Sequence, residues 1–198
     1  MSTPGAQLSK VDSELVADWR LDRSRSANQL WILPTAEGAD MFRKFGHAGF
    51  ASLIAPWAAA RNIETTSLRL VSHLPPTGDP LPSPPREPVV GAIVRDELSA
   101  SVDLEVPYDL DIFAGHFSHV PIVPGAMLVG WAADIGAGLG IWHHGVTRAA
   151  TMKFRRIVQP GPKYRLGLSW SANGDRLNFQ FESAGVTHAA GALLAPKQ

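Results

Sequence analysis

Apolar and polar positions divide the chain into a loosely patterned first part and a regular second part. Tyr164, Leu166, Leu168 and Trp170 alternate with Lys163, Arg165, Gly167 and Ser169, and Leu177, Phe179 and Phe181 alternate the same way within Arg176–Glu182. A period of two is that of a strand with one buried face. Between these runs sits Asn173-Gly174, the preferred pair for a two-residue type I′ hairpin. Upstream, the stretch Val89–Val106 ends with Leu98, Ala100, Val102, Leu104 and Val106 on one face, and Arg148–Val158 and Val186–Ala195 read as further strands. Ala126–Leu139 differs: it is apolar almost all round and its only charge is Asp134. Such a pattern predicts a buried helix. The second part is therefore read as α+β, an antiparallel sheet following one buried helix.

The first part carries less. Asn28–Pro34 resembles a short strand, Ala39–Arg61 is helix-compatible but interrupted by glycines and Pro56, and Ser67–Leu74 alternates as a half-buried strand does. This is too little for a large core, so the segment is expected to pack on the second part or on a partner. Residues 75–88, "PPTGDPLPSPPREP", hold seven prolines. Each lacks an N–H and fixes its own φ, so the run predicts an extended, semi-rigid connector. The expected organisation is a small α/β segment at 1–74, a linker at 75–88 and the main domain at 89–198.

Composition narrows the classes. Of the 198 residues, Lys and Arg number 18 and so do Asp and Glu, a balance that argues against a nucleic-acid groove. Absence of cysteine excludes disulfides, thiolate metal sites and cysteine nucleophiles. The start "MSTPGAQLSK" is polar and no uncharged apolar run approaches membrane-spanning length. The expectation is a cytoplasmic protein with no nucleic-acid or membrane partner.

Candidate chemistry concentrates in "FAGHFSHVPIVPG", residues 113–125. A helix start leaves free N–H groups and a partial positive charge, so N–H groups near Gly125 could polarise a carbonyl oxygen. His116 could remove a proton already acidified by such polarisation. Singly, each feature is also explained by turn chemistry or by a hydrogen-bonded loop histidine. Together, "GHF", four residues, "PIVPG" and then a buried helix resemble the active-site motif of the hot-dog-fold 3-hydroxyacyl thioester dehydratases, those of fatty-acid synthesis and their aryl-polyene relatives. A second stretch, "RAATMKFRRIVQPGPKYRL" at 148–166, is similar to that family's strand–turn–strand, and Trp131 resembles the aryl-polyene branch. The resemblance spans roughly residues 88–195. It implies about six strands wrapped round the central helix, and a dimer with active sites at its interface. It further implies a (3R)-hydroxyacyl thioester carried on acyl carrier protein or coenzyme A, His116 as base and the Gly125 N–H as thioester-oxygen donor. No metal or other cofactor is implied.

One family feature is missing. The partner acid sits on the central helix five residues after that glycine, where this chain has Gly130. The nearest carboxylate, Asp134, lies four residues further on the same helix face. Two readings stand for Asp134: the displaced acid, or a structural group bonded to backbone or an arginine. Three stand for the site: a relocated acid, a heterodimer whose partner supplies it, or a degenerate site that only binds acyl chains. A thioesterase is a third functional class, against which the GHF motif argues. His119 reads as loop surface, and His143 and His144 as residues at the negative helix end. Lys153, Arg155 and Arg156 read as a solvated strand edge or a receiver for an acidic carrier or coenzyme A phosphate. Finally, "SLRLVSHLPPTGDPLP" resembles the end of an acyl-adenylating enzyme's C-terminal subdomain, with Asp79 where that family has its lysine. That implies a remnant used for docking.

Overall fold

The structure is a computed structural model and describes residues 14–22, 28–64, 67–76, 79, 82–114 and 119–196. The chain divides into two compact units, Met1–Pro84 with Phe113–Pro121, and Pro85–Ile112 with Ile122–Gln198.

In the first unit, β1 (Val16–Asp22) pairs antiparallel with β2 (Gln29–Pro34), which pairs in parallel with β3 (Ser67–Leu70). The crossover is α1 (Ala36–Ala59). Thr35 caps it, its Oγ accepting from the Gly38 N–H at 3.0 Å. Helical geometry breaks at Gly46, whose φ of 65° suits a residue without Cβ. Leu30, Trp31, Ile32, Phe42, Phe50 and Leu70 are all buried, so this segment has a core that the sequence pattern did not promise. β1 is the strand the pattern did not announce: Asp18, Arg20 and Asp22 punctuate it, and only Val16 is fully buried. Of the connector, residues 77, 78, 80 and 81 lie outside the described residues, and the Asp79 N–H donates to Pro76 O (3.2 Å).

In the second unit, six strands lie in the order β4-β5-β7-β8-β9-β6. They are β4 (Val89–Arg95), β5 (Ser99–Glu105), β6 (Arg148–Phe154), β7 (Lys163–Trp170), β8 (Arg176–Ser183) and β9 (Val186–Leu194). Every neighbouring pair is antiparallel. Val102 faces Leu166 and Leu166 faces Phe181 across the ladders, so the alternating apolar sets fall in register on one face. α2 (Gly125–Gly138) packs on that face. Its Gly136 permits close approach: a Cβ there would lie 3.0 Å from Leu177 Cδ2 and 3.1 Å from Trp142 Cβ.

Four expectations change. The stretch 89–106 is a hairpin that bends at Asp96–Leu98, with the Asp96 N–H bonded to Ser99 O (2.8 Å), and Leu98 is exposed in the bend. β6 stops at Phe154, and residues 155–162 form a loop. The turn at Asn173-Gly174 is wider than a type I′ pair. Ser171 N–H reaches Arg176 O (3.0 Å), and only Gly174 has positive φ there. Side chains support this wider loop: Ser171 Oγ and Asn173 Nδ2 both donate to the Asp175 carboxylate, at 2.7 and 3.0 Å. The two consecutive positive φ values of a type I′ turn fall instead at Ala184 (50°) and Gly185 (73°), between β8 and β9. Fourth, α2 is not buried on every side. Leu128, Val129, Trp131, Ala132, Ala133 and Gly136 are buried, whereas Ala126, Asp134 and Ala137 are exposed and Gly130 is half-buried. A six-stranded sheet covers one side of a helix and leaves a stripe open.

Candidate functional site

The N-terminus of α2 is held from behind. Pro124 precedes the helix in extended geometry (φ −59°, ψ 141°) and offers no capping side chain. Just before it, the Val123 N–H donates to Val158 O (2.8 Å). The Met127 N–H turns back to Pro124 O (3.0 Å), while the N–H groups of Gly125 and Ala126 have no acceptor among the described residues. Two donors at a positive helix end are thus available to an anionic or polarised oxygen. The Phe154 ring lies against Gly125, where an added Cβ would be 2.8 Å from ring atoms Cε1 and Cζ.

The loop supplying Val158 is itself pinned. Tyr164 Oη accepts from the Gln159 N–H (3.0 Å) and donates to Gln159 O (3.1 Å). His188 Nδ1 lies 2.7 Å from Ile157 O; since a carbonyl only accepts, Nδ1 carries the proton. The Arg155 and Arg156 N–H groups return to His188 O at 2.8 and 3.1 Å. The His188 ring stands edge-on to Tyr164, 5.2 Å between centroids. Sequence reasoning assigned neither residue to the site. The available signal was Tyr164, whose hydroxyl on a buried face needs a partner.

His116 lies outside the described residues. Gly130 is on α2, and a Cβ there would meet nothing within 4 Å. Asp134 is exposed and makes no hydrogen bond or ion pair among the described residues. It stands nine residues after Gly125, about 13.5 Å along the helix. The same chain therefore does not bring Asp134 to Gly125. His119, His143 and His144 are exposed. The C-terminal carbonyl of Leu139 is met by Arg95 Nη1 (2.9 Å), not by the histidine pair, and His144 packs edge-on against Trp142. Lys153 is the penultimate residue of β6, and Arg155 and Arg156 lie on the loop beyond it, all exposed. Among the described residues, His, Asp and Glu form no cluster of three that could hold a metal ion. No helix among them is long and apolar enough to cross a membrane.

An antiparallel six-stranded sheet packed on one helix is a hot-dog fold. The family model described as ApeI-like, ApeI dehydratase, matches residues 92–192, and the chain belongs to that family. No curated protein matches the chain. Among solved structures, it is similar to the dehydratase heterocomplex ApeI:P from Xenorhabdus doucetiae, at 23% identity and TM-score 0.50, over 55% of this chain and 96% of that one. It is also similar to an uncharacterized protein from Erwinia carotovora subsp. atroseptica, at 24% identity and TM-score 0.45, over 55% and 94% of the two chains.

Proposed function

We propose that the chain dehydrates a (3R)-hydroxyacyl thioester, carried on acyl carrier protein or coenzyme A, in cytoplasmic fatty-acid or aryl-polyene-type synthesis. The observation that carries this reading is the N–H pair at Gly125 and Ala126, which has no acceptor among the described residues, in a member of a dehydratase family. In the reaction the thioester oxygen accepts from the Gly125 N–H, which acidifies the α-carbon. His116 takes the α-proton, and the electron pair passes through the enolate to form the Cα–Cβ double bond. The β-hydroxyl leaves as water with a proton from the acid.

The acid comes from a second subunit. The open stripe Ala126, Gly130, Asp134 and Ala137 is small-sided and suits an antiparallel pairing with the same stripe of another copy. Centred on Gly130, that pairing sets Asp134 of a second copy opposite Ala126, beside Gly125. The exposed edges of the sheet, Val89, Val90, Ile93 and Val94 on β4 and Phe154 on β6, also favour association. The second subunit is a copy of this chain or a related hot-dog subunit; the Xenorhabdus doucetiae dehydratase is a heterocomplex, ApeI:P. Residues 1–74 serve this assembly as a docking remnant of an acyl-adenylating enzyme.

A second reading, a non-catalytic acyl-binding or heterodimer-forming subunit, is favoured by Gly130 alone. Hydration of an enoyl pantetheine thioester separates the two, with light scattering to report the assembly. We expect a dimer whose activity is abolished by His116→Ala and lost by Asp134→Asn with the fold intact. A stable monomer, or a parent dimer without activity alone or with a related subunit, refutes the catalytic reading.

A further inference from the structure

The two peptide planes on either side of Val158 are held by ring atoms, and the second of them holds the start of α2. In the plane between Ile157 and Val158, the carbonyl accepts from His188 Nδ1–H at 2.7 Å. In the plane between Val158 and Gln159, the N–H donates to Tyr164 Oη at 3.0 Å, while the carbonyl at the opposite end accepts from the Val123 N–H at 2.8 Å. A peptide unit is planar, so fixing its N–H fixes the direction of its carbonyl. Tyr164 Oη also donates to Gln159 O (3.1 Å), which keeps the hydroxyl in place. Its ring comes from β7 and that of His188 from β9, and the two meet edge-on. Val123, Val158 and Tyr164 are all buried, so a bond lost here is not replaced by one to bulk water.

From Val123 that direction passes to the helix through a stiff stretch of chain. Val123 precedes a proline, which restricts it to extended geometry. The Pro124 ring fixes its own φ, here −59°. The next N–H is that of Gly125, so few torsions are free between the Val158 carbonyl and this donor. We infer that Tyr164 and His188 are positioning residues for the Gly125 N–H: they aim it at the thioester oxygen through Val158, Val123 and Pro124. The inference rests on the proposed dehydratase reading and adds to it two side chains that act through the backbone. A hydrogen bond weakens steeply as its angle closes, and a reacting group displaced by about 1 Å costs about 10²-fold in rate. The donor answers charge that develops on the oxygen in the transition state, so misaiming it lowers kcat and leaves KM nearly unchanged.

The test uses Tyr164→Phe, which keeps the ring and removes the hydroxyl, and His188→Leu. His188→Asn is the rescue, because the Asn amide nitrogen, like Nδ1, is one bond from Cγ. Hydration of an enoyl pantetheine thioester should lose about 10–10²-fold in kcat in the first two variants, with KM within about threefold. His188→Asn should recover most of that loss. In a Gly125→Ala background, Tyr164→Phe should cost little further rate, since the donor it aims is already obstructed; a general weakening of the fold would subtract equally from both backgrounds. A second readout needs no turnover. With isotope-labelled glycine and valine, Tyr164→Phe should speed hydrogen exchange at Val123 and shift the Gly125 amide signal, which is identified by its loss in Gly125→Ala. Should Tyr164→Phe fail to fold, His188→Leu carries both readouts, because His188 is only half-buried. An active parent whose kcat is unchanged in the folded variants, or a rate loss that adds in full to that of Gly125→Ala, overturns the inference and leaves the dehydratase reading standing. A parent inactive alone and with a related subunit sinks that reading instead, and the amide signals then decide: altered Val123 and Gly125 amides support the positioning, unchanged ones overturn it.

Discussion

Gly125→Ala separates the fold from the chemistry. The new methyl would lie 2.8 Å from two atoms of the Phe154 ring, closer than van der Waals contact allows. That ring is 53% exposed on the edge strand β6, so it can turn aside. An off-rotamer aromatic costs about 0.5–1.5 kcal/mol, and alanine in place of a helical glycine returns up to about 1 kcal/mol. The two effects nearly cancel, leaving a net change within about 1 kcal/mol, or a Tm shift within about 8 °C for a unit of this size. Activity responds on another scale. On the proposed function the methyl would crowd the N–H that donates to the thioester oxygen, and losing one such donor lowers kcat by about 10²–10³-fold. The assay pairs a thermal melt with hydration of an enoyl pantetheine thioester. The double variant Gly125→Ala with Phe154→Ala removes the clash. It should recover any lost Tm without recovering rate, because the methyl remains. A folded Gly125→Ala protein with activity within threefold of the parent would refute the role of this helix end. Recovery of rate in the double variant would shift the cause to a misplaced ring.

Gly136→Ala has no such escape, because Leu177 and Trp142, the groups its methyl would meet, are fully buried. Overpacking at about 1–3 kcal/mol outweighs the helix gain, so Tm should fall by roughly 5–10 °C, and an unchanged melt counts against the tight α2–β8 contact. Ala184 holds φ of 50°, a conformation that asparagine tolerates better than alanine; Ala184→Asn should raise Tm by a few degrees, and a decrease would contradict the turn assignment. The Asp175 carboxyl is held below the usual carboxylate range by hydrogen bonds from Ser171 first and then Asn173. A depressed folded value means that its contribution is complete above the unfolded value of about 3.9 and disappears as pH falls through the folded one. Asp175→Asn should therefore shrink the Tm loss between neutral and acid pH, and an identical acid profile would rule the contribution out.

Legibility follows the range of the interactions. β7 runs from Lys163 to Trp170, where the alternation placed it, because a strand with one wet face writes its burial directly into a period of two. The wider loop after Trp170 was hidden because its geometry depends on the Ser171 and Asn173 bonds to Asp175, whereas the dipeptide preference considers two residues alone. β1 was hidden because an edge strand with Asp18, Arg20 and Asp22 has little apolar face to display. In the site, Pro124-Gly125 was readable as a helix start since the signal is local. Tyr164 and His188 were not, because they act through the backbone carbonyls of Gln159 and Ile157. Such acceptors carry no side-chain signature.

The open stripe of α2 was illegible for a different reason, and it bears most on mechanism. Alanine and glycine count as apolar in a periodicity, so Ala126, Gly130 and Ala137 read as core, although in the folded chain they surround an exposed Asp134. A lone chain gives that carboxylate no partner among the described residues. The proposed antiparallel pairing about Gly130 would give it one role: near the partner's helix start it could pass a proton to the β-hydroxyl while the Gly125 N–H holds the thioester oxygen. The two Asp134 groups then lie at opposite ends of the contact, eight residues or about 12 Å apart along the axis. That exceeds the Debye length of about 8 Å at physiological salt, so their mutual repulsion is largely screened. Gly130 at the crossing point keeps the backbones close, and a larger side chain there would push the helices apart. On the proposed pairing the missing acid and the glycine in its place would be one feature: the helix lacks a carboxylate at its midpoint and would present one four residues later to the site across the interface.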